Sequence, residues 1–190
     1  MKKYLSLFLA STISLCACSQ PAKNINTDGK INACDIDCDD TTAKESIALN
    51  EISMDEAISY FTNKKTGVLY FGFEKCPWCQ QAKPIFTDVA NTYGIDIQYI
   101  KTRDDDRNLL YTDEQKKQFT PYLKDYMSNN DDGVLTLFVP LVVYVKDGIV
   151  IDGHVGTFEE HDAHERELTD QEKEDLKTIY INIFKQVKQD

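Results

Sequence analysis

Apolar and polar positions divide the chain into an unpatterned stretch and a patterned one. From residue 19 to about residue 50, Asn, Asp, Thr, Lys and Ala dominate, and no apolar position recurs at a helical or strand period. Such a stretch buries too little apolar surface to offset the entropy of ordering it, and it reads as a polar flexible spacer. Periodicity begins just beyond. Ser53 and Glu56 have the spacing of a capping box, and Met54, Ala57, Ile58 and Phe61 line one face of a helix ending near Asn63. The run GVLYFGF, residues 67–73, is continuously apolar over the length of a strand, as a strand covered on both faces requires. A helix is predicted from Pro77 to Tyr93, with Pro84 inside it and Gly94 as its C-cap. Ile95 to Ile100 alternates as a second strand.

Residues 102–133 are polar and charged, with a helix predicted from Asp113 to Met127 that carries Pro121. Leu141 to Val145 is a strand, Lys146-Asp147-Gly148 a hairpin turn, and Ile149 to Asp152 the returning strand. Thr169 and Glu172 repeat the capping-box spacing and open a last helix to about Gln189. The order α-β-α-β-α-β-β-α around one sheet describes an α/β domain over residues 51–190. No internal repeat is visible.

The first residues carry a different signal. Met1-Lys2-Lys3 is basic, and the apolar stretch from Leu5 to Cys16 is shorter than the ~20 residues needed to span a bilayer, so it fits a secretory signal. It ends in Leu15-Cys16-Ala17-Cys18-Ser19, which resembles the bacterial lipobox with Ala17 before the modified Cys18. The resemblance implies a lipoprotein signal over residues 1–18, acylation of Cys18, anchoring in a lipid bilayer and an extracytoplasmic location. A formal net charge of −11 leaves that anchoring to the acyl chains rather than to anionic lipid, and it argues against nucleic acid as a partner.

That location changes the reading of the six cysteines. Cys16 would leave with the signal and Cys18 would carry lipid. Cys34, Cys38, Cys76 and Cys79 remain as two close pairs where oxidation is permitted. Cys34 and Cys38 would lie about 13 Å apart in extended chain, too far for a disulfide, but a helical turn would bring them into range. A second disulfide, a second redox pair and free thiols all stay open there. Acids at 35, 37, 39 and 40 disfavour thiolates.

Cys76-Pro77-Trp78-Cys79 follows the buried strand and opens a helix. Together with Pro84 five residues after Cys79, Val139-Pro140 before LVVYVKDG, and Gly156 eight residues after Gly148, it resembles the thioredoxin fold over residues 52–190. The resemblance implies a mixed central sheet flanked by helices, with a helical insertion before the cis-proline strand. It implies Cys76 as the attacking thiol at a helix N-terminus, where free amides favour thiolate, and Cys79 as the shielded resolving thiol. It also implies a substrate-facing surface at Pro77 and Trp78 and a cis Val139–Pro140 bond whose neighbourhood pairs a substrate strand. The function expected is an extracytoplasmic thiol–disulfide oxidoreductase acting on protein thiols and disulfides. It would work with a membrane or extracytoplasmic redox partner and without a cofactor.

Glutaredoxins share the CP-aromatic-C turn, but their Gly-Gly pair is absent from Lys146-Asp147-Gly148-Ile149. Within the thioredoxin group the chain is similar to membrane-anchored and bacteriocin-accessory members. Two departures stand out. Tyr70 occupies the place of the family's buried Asp, so Glu74 or solvent is expected to take its proton-accepting role. Trp78 stands where disulfide-introducing oxidases have His, so the thiolate is expected to be less extreme than theirs.

Other signals are weaker. A zinc site needs four ligands, and the CxxC has no second pair in the domain. Residues 24–35 loosely match a calcium loop but read better as spacer. His154, His161 and His164 beside acids read as a solvated patch, and Arg103 to Arg107 as a charged loop opening an insertion that serves as a partner surface. The alternative to catalysis is a non-catalytic accessory protein that binds an exporter or a metal on a thioredoxin scaffold.

Overall fold

The computed structural model describes residues 49–189. Cys18, the Cys34/Cys38 pair, the calcium-like stretch and nearly all of the spacer lie outside the described residues.

A five-stranded sheet runs in the order β1-β3-β2-β6-β7. Its strands are β1 (Leu49–Glu51), β2 (Gly67–Gly72), β3 (Ile97–Lys101), β6 (Leu141–Lys146) and β7 (Ile149–Val155). β1 and β2 both run parallel to β3, while β6 lies antiparallel to β2 and β7 antiparallel to β6. Helices α1 (Met54–Thr62) and α3 (Asp113–Leu123) cover one face, and α2 (Pro77–Tyr93) and α4 (Asp170–Gln189) cover the other. This is the α/β thioredoxin arrangement that the resemblance implied.

Strand alternation divides the core in two. Val68 and Tyr70 of β2, with Val142 and Tyr144 of β6, face α2 and α4. Leu69 and Phe71, with Leu141, Val143 and Val145, face α1 and α3. Because both faces are covered, β2 shows no polar position, which is why its sequence is one apolar run. At ~25 cal/mol per Å² of apolar surface, burying each such side chain contributes about 1.5–3 kcal/mol.

Both capping boxes form. Ser53 N donates to Glu56 at 2.8 Å and Glu56 N to Ser53 Oγ at 3.2 Å. Thr169 N donates to Glu172 at 2.7 Å, and Glu172 N returns to Thr169 Oγ1 at 3.3 Å. Gly94 ends α2 in the left-handed region at φ 59°, and Ile95 N closes the cap on Ala90 O at 3.0 Å. Ile95 is therefore spent on the cap, and the strand starts at Ile97 rather than at Ile95.

Three features differ from the sequence reading. β1 begins at Leu49, inside the stretch assigned to the spacer; three residues on a sheet edge are too few to show a period. The helix expected to reach Met127 ends at Leu123, and a 3₁₀ turn follows over Lys124–Tyr126. The insertion also contains a short hairpin, β4 (Ser128–Asn129) and β5 (Leu135–Thr136). Asn130 Oδ1 turns it by accepting from Asp132 N and Val134 N.

One glycine is dictated by packing. A Cβ at Gly72 would lie 2.5 Å from Cζ of Tyr70 and closer still to its hydroxyl. Tyr70 itself is fully buried between Phe86 and Tyr99, with ring centroids 4.6 Å and 5.1 Å away, so it has nowhere to retreat. We expect Gly72→Ala to cost about 1–3 kcal/mol, the usual range for overpacking, read as a lowered midpoint in urea unfolding. An unchanged midpoint would show that the Tyr70 pocket yields freely.

Candidate functional site

β2 ends beneath the Cys76-Pro77-Trp78-Cys79 turn, and Cys76 is the N-cap of α2. Its sulfur takes the part that a Ser or Asp oxygen usually plays, accepting from Cys79 N at 3.2 Å. Pro77 opens the helix at a position whose N–H has no partner to lose. Farther in, Pro84 interrupts the ladder, and Thr87 Oγ1 donates to Lys83 O at 2.7 Å beside it.

The peptide bond Val139–Pro140 is cis, as the resemblance implied. Pro140 O accepts from Gly156 N at 2.7 Å, tying the start of β6 to the end of β7. The Cys76 thiol lies 3.7 Å from Val139 O and donates toward it. The two prolines' neighbourhoods thus meet at one sulfur.

Both cysteines are free thiols and both are buried, Cys76 at 3% exposed and Cys79 at 2%. Their electrostatics diverge. The Cys79 thiol donates to Cys76 sulfur, and that bond first, then the Cys79 and Trp78 amides and the Arg107 charge, pull the Cys76 pKa down against burial. Burial pushes the Cys79 thiol far up, and donating to Cys76 pushes it further. One sulfur is poised as thiolate while the other holds its proton.

The sequence reading expected Glu74 or solvent to serve Cys79 in place of the missing carboxylate. The structure corrects the Glu74 half of this. Glu74 is exposed and pairs with Lys83 at 3.3 Å. The group that reaches Cys79 is the Tyr70 hydroxyl, which donates to its sulfur and lowers its pKa in part. Burial holds the phenol's own proton on firmly, so Tyr70 acts as a donor and not as a base. The only signal for this was the tyrosine at the departing position and the glycine two residues on.

Cys76 faces a cavity of about 620 Å³ that Pro77, Trp78, Arg103, Arg107, Phe138 and Val139 help to line. Trp78 is half-buried, and its ring nitrogen donates to His161 O at 3.1 Å. His164 stacks edge-on against it at 5.0 Å. Of the three histidines only His164 is exposed as expected, while His154 is half-buried and His161 is buried. His161 is 4% exposed, with Nδ1 at 2.7 Å from Thr157 Oγ1 and Nε2 at 3.1 Å from Arg166 O. His154 Nε2 lies 2.9 Å from Thr157 O. These rings knit the 154–166 segment into the wall that holds Trp78. Periodicity misses this because the segment has none.

Arg103 and Arg107 were also missed as site residues. The sequence shows them only as the ends of a charged run, whereas the fold turns both toward Cys76. Among the described residues no helix is long and apolar enough to cross a membrane.

The family model described as TraF, F plasmid transfer operon protein, matches residues 34–121, a stretch that contains both cysteines of the turn. No curated protein matches the chain. Among solved structures, oxidised thioredoxin O2 of Arabidopsis thaliana is 18% identical, covering 62% of this chain and 88% of its own at a TM-score of 0.35. Oxidised thioredoxin of Plasmodium falciparum is 13% identical, with coverages of 74% and 98% and a TM-score of 0.39. Thioredoxin of Aeropyrum pernix is 18% identical, with coverages of 56% and 74% and a TM-score of 0.35. Such likenesses concern fold alone. The sheet order, the CPWC turn capping α2 and the cis-proline beside it are those of a thioredoxin fold.

Proposed function

We propose that this protein is a thiol–disulfide oxidoreductase that exchanges disulfides with protein substrates through Cys76 and Cys79. The observation that carries the reading is the Cys76 sulfur at the tip of α2. It accepts from Cys79 N at 3.2 Å and lies 3.7 Å from the carbonyl preceding Pro140. A sulfur there is both a stabilised nucleophile and a neighbour of the backbone against which a substrate strand would lie.

In the reducing direction, Cys76 thiolate attacks one sulfur of a substrate disulfide. A Cys76–substrate disulfide forms, and the other substrate sulfur leaves as thiolate and takes a proton. Cys79 then attacks Cys76 sulfur, releasing the second substrate thiol and leaving a Cys76–Cys79 disulfide. Two electrons have passed to the substrate, and a partner dithiol must return them. The same steps reversed oxidise a substrate. As the mixed disulfide forms, Cys79 loses the Cys76 thiolate that held its proton, and the Tyr70 hydroxyl remains to stabilise the thiolate it must become. Val139 and Pro140 orient the substrate, while Trp78 and Pro77 shape the cavity wall. Lipidation at Cys18 would confine this exchange to the outer side of a bacterial membrane.

Three outcomes test these assignments. Alkylation of Cys76 should follow a titration midpoint below the ordinary ~8.5, with Cys79→Ser keeping it low and Cys79→Ala moving it back up. A midpoint at or above the ordinary value abolishes the nucleophile. Tyr70→Phe should slow release of a preformed mixed disulfide about tenfold or more, since a hydrogen bond to a charged group contributes ~1.5–3 kcal/mol, with little change in the first attack. An unchanged release rate removes Tyr70 from the mechanism. Expressed in a bacterium fed labelled palmitate, the full chain should carry the label and lose it on Cys18→Ser; label on the variant would refute the anchor.

A further inference from the structure

We propose that the cavity beside Cys76 selects disulfides whose reacting cysteine is flanked by carboxylates, with Arg107 as the recognising charge and Arg103 as its brace. The inference rests on the exchange reading above and names the substrate class for that site.

The loop that carries the arginines is firmly built. Thr102 N donates to Gly72 O at 2.8 Å, so the loop starts from the end of the strand that delivers the thiols. Leu110 N returns to Thr102 O at 2.9 Å and closes it. Inside, Asp104 accepts from Asp106 N at 2.9 Å, Asn108 N at 2.8 Å and Asn108 Nδ2 at 2.9 Å. Arg107 sits in the left-handed region at φ 68°, uncommon for a residue with a side chain. Arg103 Nη1 holds that turn by donating to Arg107 O at 2.7 Å. A backbone so pinned presents its side chain at the same place each time.

Charge in the loop is sorted as well. Asp104 is consumed by loop amides, Asp105 pairs with Lys101 at 3.8 Å, and Asp106 is not among the residues that line the cavity. The Arg107 guanidinium, in contrast, makes no ion pair among the described residues and borders the cavity that holds Cys76. Its charge also acts on Cys76 directly, in the direction that favours thiolate. On the lining, Arg103 and Arg107 face one carboxylate, that of Glu159. A chain of net charge −11 thus turns a locally cationic wall toward its nucleophile. At physiological salt the distant acids are screened beyond ~8 Å, and the near arginine decides which substrate settles. The lining also includes apolar side chains, with Phe138 44% exposed beside Val139, so a substrate strand would be held by backbone and apolar contact and discriminated by charge.

The test uses the full chain, reduced, and three disulfide peptides that differ only in carrying Asp, Ser or Lys on both sides of the reacting cysteine. Reduction is followed at one fixed pH throughout. The expected order of kcat/KM is Asp, then Ser, then Lys, with steps of about fivefold, the size of one partly exposed ion pair, shrinking at 1 M salt. Asn and Asp tolerate a left-handed backbone, so Arg107→Asn should flatten the series and Arg107→Asp invert it, with unchanged unfolding midpoints. Because Arg107 also favours the Cys76 thiolate, each variant's rates are divided by its own rate with the Ser peptide, so that only the ordering by charge is read. A flat series in wild type, or an order that survives Arg107→Asp, overturns the selectivity while leaving the exchange reading intact. Failure of the wild type to reduce even the Ser peptide overturns the exchange reading itself.

Discussion

The capping of α2 by a sulfur is the interaction on which the rest depends. A helix begins with amides that lack partners, and here Cys79 N, assisted by the Trp78 amide, donates a hydrogen bond to Cys76 sulfur instead of to a hydroxyl or carboxylate. The same bond ends the strand-to-helix turn and, with the Cys79 thiol, lowers the pKa of its first residue. It also requires that the next turn of helix be buried, because Cys79 must lie within reach of Cys76 while water is kept out. The apolar run of β2 and the packing of α2 against α4 provide that burial.

Burial creates a difficulty that the interior then answers. A thiol so deep resists ionisation, yet thiol–disulfide exchange needs it as thiolate for an instant. A carboxylate could accept its proton; this chain places a phenol there. A phenol costs less to bury than a carboxylate and stacks within an aromatic cluster of Phe86, Tyr99 and Tyr180, but it can only donate. In the proposed exchange such a donor stabilises the Cys79 thiolate without taking its proton. It also consumes space, and Gly72 is the space.

Two segments without secondary-structure periodicity line the cavity beside the sulfur. The 102–110 loop is organised by Asp104 and brings guanidinium groups; the 154–166 segment is organised by His154 and His161 and brings a wall behind Trp78. Each is rigid because polar side chains bond backbone rather than water. The cavity is therefore a product of loops, while the nucleophile is a product of the sheet.

Residues 51–189 announced most of their fold by themselves. The unbroken apolar run of β2, the two capping boxes, Gly94 as a left-handed cap and the turn at Asp147-Gly148 are each local consequences of local chemistry, so their identities suffice. So too the pairing of CPWC with a later Val139-Pro140 could be recognised. What no local pattern contains is distance between residues far apart in the chain. That Tyr70 rather than Glu74 meets Cys79, that Arg107 borders the thiol, that His161 is buried under Trp78, and that Leu49–Glu51 joins the sheet edge all follow from packing. Those contacts exist only once two covered faces have closed around one strand and chosen, by volume and by hydrogen-bond satisfaction, which side chains share its end.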